Sequence, residues 1–273
     1  VFFTICTLGR CAIKKSFFIL VLFFIALLIN NRCDTNSTGA TDEEAPYLKI
    51  SVTDVPAVYD SVVIVFSEIS ANINSLWYHM RQEPVRVNLL EWTNGKTYTL
   101  TSGEVPSGQC TQIRFKIDEA YIGVNNQVHE LSVPSGSTTG LKLGLDLTIK
   151  EGTKYNVVLD FDASQSVVVL GSENHPKGYQ LKPQIRVIVD AEAGSISGTV
   201  LNPERLPWAH AITGDDTITS TKVDTASGYF KLAFLPENIY TVMVEDTSGK
   251  HYRQESVSVQ VKQDNNLGEI TLE

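Results

Sequence analysis

From Pro46 onward, apolar and polar positions alternate with a period of two, interrupted by Gly, Asn, Asp, Ser and Pro. No stretch carries the rhythm of a long amphipathic helix. Tyr47 to Thr53 reads as a strand that stops at Asp54-Val55-Pro56, because proline cannot donate to a ladder. Ser61 to Ile73 opens with an unbroken apolar run, which predicts a central strand covered on both faces. Val85 to Trp92 and Lys96 to Leu100 flank Thr93-Asn94-Gly95, and Asn-Gly predicts a hairpin because both residues tolerate positive φ. Between strands, Leu76 to Met80 reads as a loop. Strands follow over Cys110 to Ile117, Val128 to Val133, Leu141 to Ile149, Tyr155 to Asp162, Ser166 to Leu170 and Tyr179 to Asp190.

A short Ala/Glu/Gly segment then leads to a second set: Gly194 to Val200, Ala209 to Thr213, Thr219 to Pro236, Ile239 to Asp246 and Glu255 to Val261. The pattern predicts an all-β chain of two β-sandwich-like domains, a larger one over 46–190 and a smaller one over 194–273.

What precedes them differs in kind. Lys14 and Lys15 are followed by an apolar run from Phe17 to Ile29, long enough for a secretory signal but short of the roughly 20 residues that span a bilayer. Cys33 stands just after it, so residues 1–33 read as a signal peptide and lipid-anchor segment. The start itself is expected near Ile13, or at a non-standard start codon. Residues 34–45, rich in Ser, Thr, Gly and acids, read as a flexible tether. Leu28, Ile29 and Cys33 resemble the lipobox of bacterial lipoproteins, although Asn31 and Arg32 stand where that family has small residues. The resemblance implies a diacylated Cys33. A signal anchor and a plainly secreted chain are the alternatives.

The full chain carries a net charge of −9; the four cations before Cys33 (Arg10, Lys14, Lys15 and Arg32) leave with a cleaved leader, making the mature chain −13. Nucleic acid is thereby disfavoured as a partner, since it is bound by neutralising phosphates. Of the cysteines, Cys6, Cys11, Cys33 and Cys110, processing leaves one acylated and one lone thiol, so no internal disulfide is expected. Strict alternation puts Cys110 on the face of Gln112, Arg114 and Lys116, away from Ile113 and Phe115, as a peripheral thiol.

The motifs Leu48 to Pro56, Tyr59 to Ile69, Val133 to Leu143, Asn156 to Val167 and Tyr179 to Val187 resemble, in number and order, a domain of unknown function, family 4382, common in bacterial and archaeal lipoproteins. That resemblance implies a secreted, anchored all-β protein and imports no activity. Gly194 to Val200, Asp224 to Leu232 and Leu235 to Val242 resemble the carboxypeptidase-regulatory-like, transthyretin-type sandwich. Ser227-Gly228 is expected to make its hairpin turn, Tyr229 and Phe230 to pack, and Asn238 to stand in left-handed backbone where that family has glycine.

Candidate chemistry is sparse. Asp160 and Asp162, two apart on a strand, are expected to share a face and to form an ion-pair network with Lys142 and Lys182; the alternative is a Ca²⁺ site completed by Asp54 or Asp60. Trp77 and Trp92 are candidate glycan-stacking platforms, among a wider set that includes Tyr78, Tyr98, Tyr121 and Trp208. The five histidines show no metal-ligand spacing, and Ser135-Gly136-Ser137 is not a nucleophile elbow.

No cofactor is expected beyond lipid on Cys33. The chain reads as a non-enzymatic, lipid-anchored protein of the bacterial cell envelope, placed as an outer-membrane lipoprotein, with inner-membrane anchoring as the alternative. It acts as a binding or scaffold subunit for an envelope protein or surface glycan. A carbohydrate-binding lipoprotein is the main alternative, followed by an envelope hydrolase or a fimbrial subunit.

Overall fold

The computed structural model describes residues 44–133, 140–172 and 175–273. Cys33, the signal segment and Ser135 to Ser137 lie outside them. The described chain is all-β and forms one compact unit around two separate apolar cores.

The predicted first strand is β1 (Tyr47–Val55), and the long apolar run is β2 (Ser61–Ile73). β3 (Leu76–Arg81) folds back on β2 through a turn in which Asn74 and Ser75 both have positive φ, so Leu76 to Met80 is strand and not loop. β4 (Val85–Asn88) also pairs with β2, whereas β5 (Tyr98–Glu104) pairs with β1. The Asn94-Gly95 turn exists, with φ of 58° and 80°, but it carries the chain from one sheet to the other instead of closing a hairpin.

β6 (Gly108–Val124) is the longest strand and lies along β2; β7 (Gln127–Ser132) and β8 (Leu141–Ile149) share its other edge. β9 (Lys154–Asp162) runs parallel to β1, and β10 (Val167–Ser172), β11 (His175–Leu181) and β12 (Ile185–Val189) complete the set. One sheet has the order β12-β9-β1-β5, and the other β10-β11-β7-β6-β2-β3. Leu48, Ile50, Val157, Leu159 and Phe161 of the first face Ile64, Phe66, Ile113 and Phe115 of the second, the Phe66 and Phe115 rings meeting edge to face at 5.4 Å.

In the ladder between β6 and β2, Asn72 faces Gln112 and Ile73 faces Cys110, so Thr111 has no partner on β2. This bulge inserts one residue and turns Cys110 inward with Ile113. Strict alternation fails there: Cys110 is 0% exposed and belongs to the core.

After the 3-10 turn Asp190–Glu192, the second sandwich packs β13 (Ala193–Val200), β16 (Tyr229–Pro236) and β19 (Asp264–Ile270) against β14 (Trp208–Thr213), β15 (Asp216–Lys222), β17 (Asn238–Glu245) and β18 (His251–Val259). Ile196, Phe230, Tyr240, Val242 and Val257 are its core. The Ser227-Gly228 turn again changes sheets: β15 pairs with β14, β16 with β13. Asp224 Oδ1 organises it by accepting from the Ala226 and Ser227 amides. Phe230 is buried, but Tyr229 is exposed, and Asn238 has no positive φ; its Oδ1 accepts from the Ile239 amide.

The outer face of the β12-β9-β1-β5 sheet is also buried. Ser51, Thr53, Val158 and Asp160 lie there with little or no exposure. Three links tie this side to the second sandwich: Lys222 Nζ donates to the Ala57 carbonyl at 2.8 Å, and Asn94 bonds the backbone of β16 at Tyr229 and Lys231. No helix among the described residues is long and apolar enough to cross a membrane.

Candidate functional site

Where the two sandwiches meet, a cleft of about 470 Å³ opens. One wall is the Val55 to Tyr59 segment with Asp162, Ser164 and Gln165; the other is built by β14, β15 and the end of β17. β14 explains its chemistry. Ala209 and Ala211 point into the core, so Trp208 and His210 alternate to the opposite face. Their rings lie parallel within 8°, centroids 6.4 Å apart, and Lys222, directly across from Trp208, holds its ammonium 5.1 Å from the indole.

Ser220, across from His210, shares a hydrogen bond with His210 Nδ1 at 2.7 Å, and Glu245 Oε1 lies 3.7 Å from Nε2. Burial pushes the His210 pKa down, with Glu245 opposing, so the imidazole is neutral near pH 7. Burial likewise lowers Lys222. The Ser220-His210-Glu245 line has the residue types of a hydrolytic triad, but Ser220 sits inside β15 and not on a sharp turn that would present a nucleophile. Ser220 and Glu245 orient the ring.

The carboxylates singled out by sequence are placed differently from expectation. Asp160 is 6% exposed and pairs with Arg186, which stands opposite it in the β9-β12 register. Neither Lys142 nor Lys182 pairs with Asp160 or Asp162. Lys142 lies on β8 in the other sheet, 5.9 Å from the Trp77 ring, and Lys182 follows β11, its amide donating to Ser166. Asp162 leaves the strand to cap the single-turn helix Ala163–Ser166, accepting from Gln165 N and Ser164 Oγ. Asp54 Oδ1 accepts from Ala163 N and Asp60 Oδ2 from Asn126 N, so each carboxylate serves a backbone amide. Among the described residues, no group of three or more His, Cys, Asp or Glu is arranged to hold a metal ion.

The two glycan candidates are half-buried and lie outside this cleft. Arg114 lies 4.5 Å from the Trp77 centroid, on the side of a network in which Glu68 binds Arg114, Lys116 and His79. Trp92 meets Tyr98 edge to face at 5.1 Å and packs on the first core. Trp208, half-buried like them and also named in the wider aromatic set, is the tryptophan that lines the cleft. Its signal was the alternation Trp208-Ala209-His210-Ala211, with small residues inward and rings outward.

No curated protein sequence matches this chain. Among solved structures, the Bacillus anthracis TIE protein aligns at 11% identity with a TM-score of 0.23, over 84% of this chain and 34% of that one, so the chain spans about a third of that protein. BcpA, the major pilin subunit of Bacillus cereus, aligns at 10% identity with a TM-score of 0.19, over 83% and 69% of the two chains. Residues 47–183, which hold one wall of the cleft and the first sandwich except β12, match the model of a domain of unknown function, DUF4382. The chain belongs to the DUF4382 family.

Proposed function

We propose that this chain is a non-enzymatic, lipid-anchored binding protein of the bacterial cell envelope, tethered through Cys33 to the outer membrane, with the cleft between its sandwiches as the ligand site. One observation carries the reading: both sandwiches contribute walls to a cleft whose volume falls in the usual small-ligand range, and the Lys222–Ala57 and Asn94–β16 bonds hold those walls in place. Such preorganisation favours binding, because little ordering is left to be done when the ligand arrives. The second sandwich serves as a carboxypeptidase-regulatory-like, transthyretin-type module that supplies the aromatic wall. Anchoring is tested separately: palmitate labelling is expected in the wild type and absent in Cys33→Ala.

Within this reading, a saccharide is the favoured ligand over a protein segment, because the parallel Trp208 and His210 rings form a platform beside Thr217, Ser164 and Glu245. The experiment is a glycan array followed by titration of the hits against wild type and Trp208→Ala. Binding reduced at least tenfold in the variant supports the site. Array silence, or hits bound equally by Trp208→Ala, removes the saccharide reading.

A further inference from the structure

On the same sheet face, away from Trp208, lies a second cleft between the sandwiches, of about 690 Å³, and its charge runs against that of the chain. Four lysines line it from four elements: Lys49 on β1, Lys154 on β9, Lys231 on β16, and Lys262 in the turn between β18 and β19. Only two carboxylates stand with them, Asp190 and Asp264, and both are engaged. Asp190 accepts from Asn156 Nδ2 at 3.1 Å; Asp264 accepts from the Ser195 and Ser197 hydroxyls and lies 3.6 Å from Lys231. Lys154 faces Glu44 at 3.9 Å, an exposed pair of little strength, while Lys49 and Lys262 have no carboxylate within ion-pair distance among the described residues. Lys262 also stands in left-handed backbone at φ 59°, its amide bonded to the Ala193 carbonyl.

Four lysines against two engaged carboxylates leave this concavity net positive on an acidic chain, a charge that a ligand of opposite sign would neutralise. We propose that this cleft is an anion site for a phosphate-bearing ligand. Lysines act as point charges without the planar fork of arginine, which suits tetrahedral phosphate oxygens approached from several sides. The volume exceeds that of a lone phosphate and falls in the range of small-ligand sites, so the phosphate is one part of a larger molecule.

The site is independent of the Trp208 cleft, and the test keeps them apart. The full chain in neutral detergent is titrated calorimetrically with inorganic pyrophosphate and, separately, with glycerophosphoglycerol, the phosphodiester of a lipid headgroup. Pyrophosphate is expected to bind, to weaken as salt rises, and to lose at least tenfold in affinity in Lys49→Gln/Lys262→Gln, with Lys262→Gln alone showing a smaller loss and Lys250→Gln, outside the cleft, none. Tighter binding of pyrophosphate assigns a soluble phosphate; comparable binding of the diester assigns a headgroup or a phosphodiester polymer. Absence of binding to either probe, or binding unchanged in both lysine variants, overturns the proposal.

Discussion

Asn94 accepts the Lys231 amide on its Oδ1 and donates from Nδ2 to the Tyr229 carbonyl, so a single side chain of the first sandwich stands where a neighbouring strand would along β16. β16 pairs with β13 on one side only, and an open edge exposes donors and acceptors that invite other strands. Asn94→Gly keeps the left-handed backbone and removes both bonds; a loss of about 1–2 kcal/mol is expected. Asn94→Ala adds the cost of an L side chain at φ 58°, about 1 kcal/mol more. Hydrogen exchange checks the link: the Lys231 amide loses protection in both variants, and unchanged exchange would show that the edge is held by other groups.

Asp54 sets a pH dependence at the junction. It is 4% exposed, with Oδ2 unpartnered, and burial holds its pKa well above the ordinary carboxylate value. The Ala163 amide opposes that rise, while Asp160 and Asp162 add to it. The folded chain therefore keeps a proton that the unfolded chain has released. Stability from this group is present below the ordinary carboxylate range and declines as pH rises toward the folded value. Asp54→Asn keeps the acceptor for Ala163 and cannot titrate. Melting curves of the two proteins are expected to converge near pH 4 and to separate near pH 7.5, with the asparagine form higher by about 2–6 °C. A lower melting temperature for Asn at the higher pH would contradict this.

Much of the strand content was legible because alternation is local. Ser61 to Ile73 is β2 to the residue. Pairing was not legible in the same way, since Asn94-Gly95 and Ser227-Gly228 specify a reversal of the chain but not which sheet receives it. The partner of Asp160 depended on register: Arg186 stands opposite only because β12 returns antiparallel along β9. Of the candidate site, the outward rings of β14 could be read, whereas the wall facing them comes from Val55 to Tyr59, about 150 residues away in the chain, and only packing of the two sandwiches brings them together.

Arg186 compensates a carboxylate buried between the sandwiches. Burial raises the Asp160 pKa and Arg186 opposes it, with its guanidinium partly open to solvent. Arg186→Met leaves the carboxylate without a counter-charge, and a loss of about 3 kcal/mol is expected, at the lower end for a buried pair because the arginine is partly solvated. Asp160→Leu/Arg186→Met is expected to recover most of that loss, since replacing both partners removes the stranded charge. Denaturant unfolding of the three chains checks the order; a double variant no better than the single would show that the pair itself contributes net stability.

The Cys110 thiol is pushed up to about 11 by burial, with the backbone of Gln112 opposing, and the β6 bulge keeps it inside the first core. Reactivity follows the thiolate, so at about pH 8 the anionic fraction is lower than in a free cysteine by a factor on the order of 10². Occlusion adds to this, because a reagent reaches the sulfur only when β6 and β8 part. Iodoacetamide labelling read by peptide mass spectrometry is therefore expected to leave the Cys110 peptide unmodified in the native chain and to modify it fully in concentrated guanidinium. Cys110→Ser tests the packing side of the same assignment: a hydroxyl replacing sulfur in an apolar setting is expected to cost about 1–2 kcal/mol, and Cys110→Ala less than that. Rapid native labelling, with the chain still folded by circular dichroism, would return Cys110 to the surface face that strict alternation assigned to it.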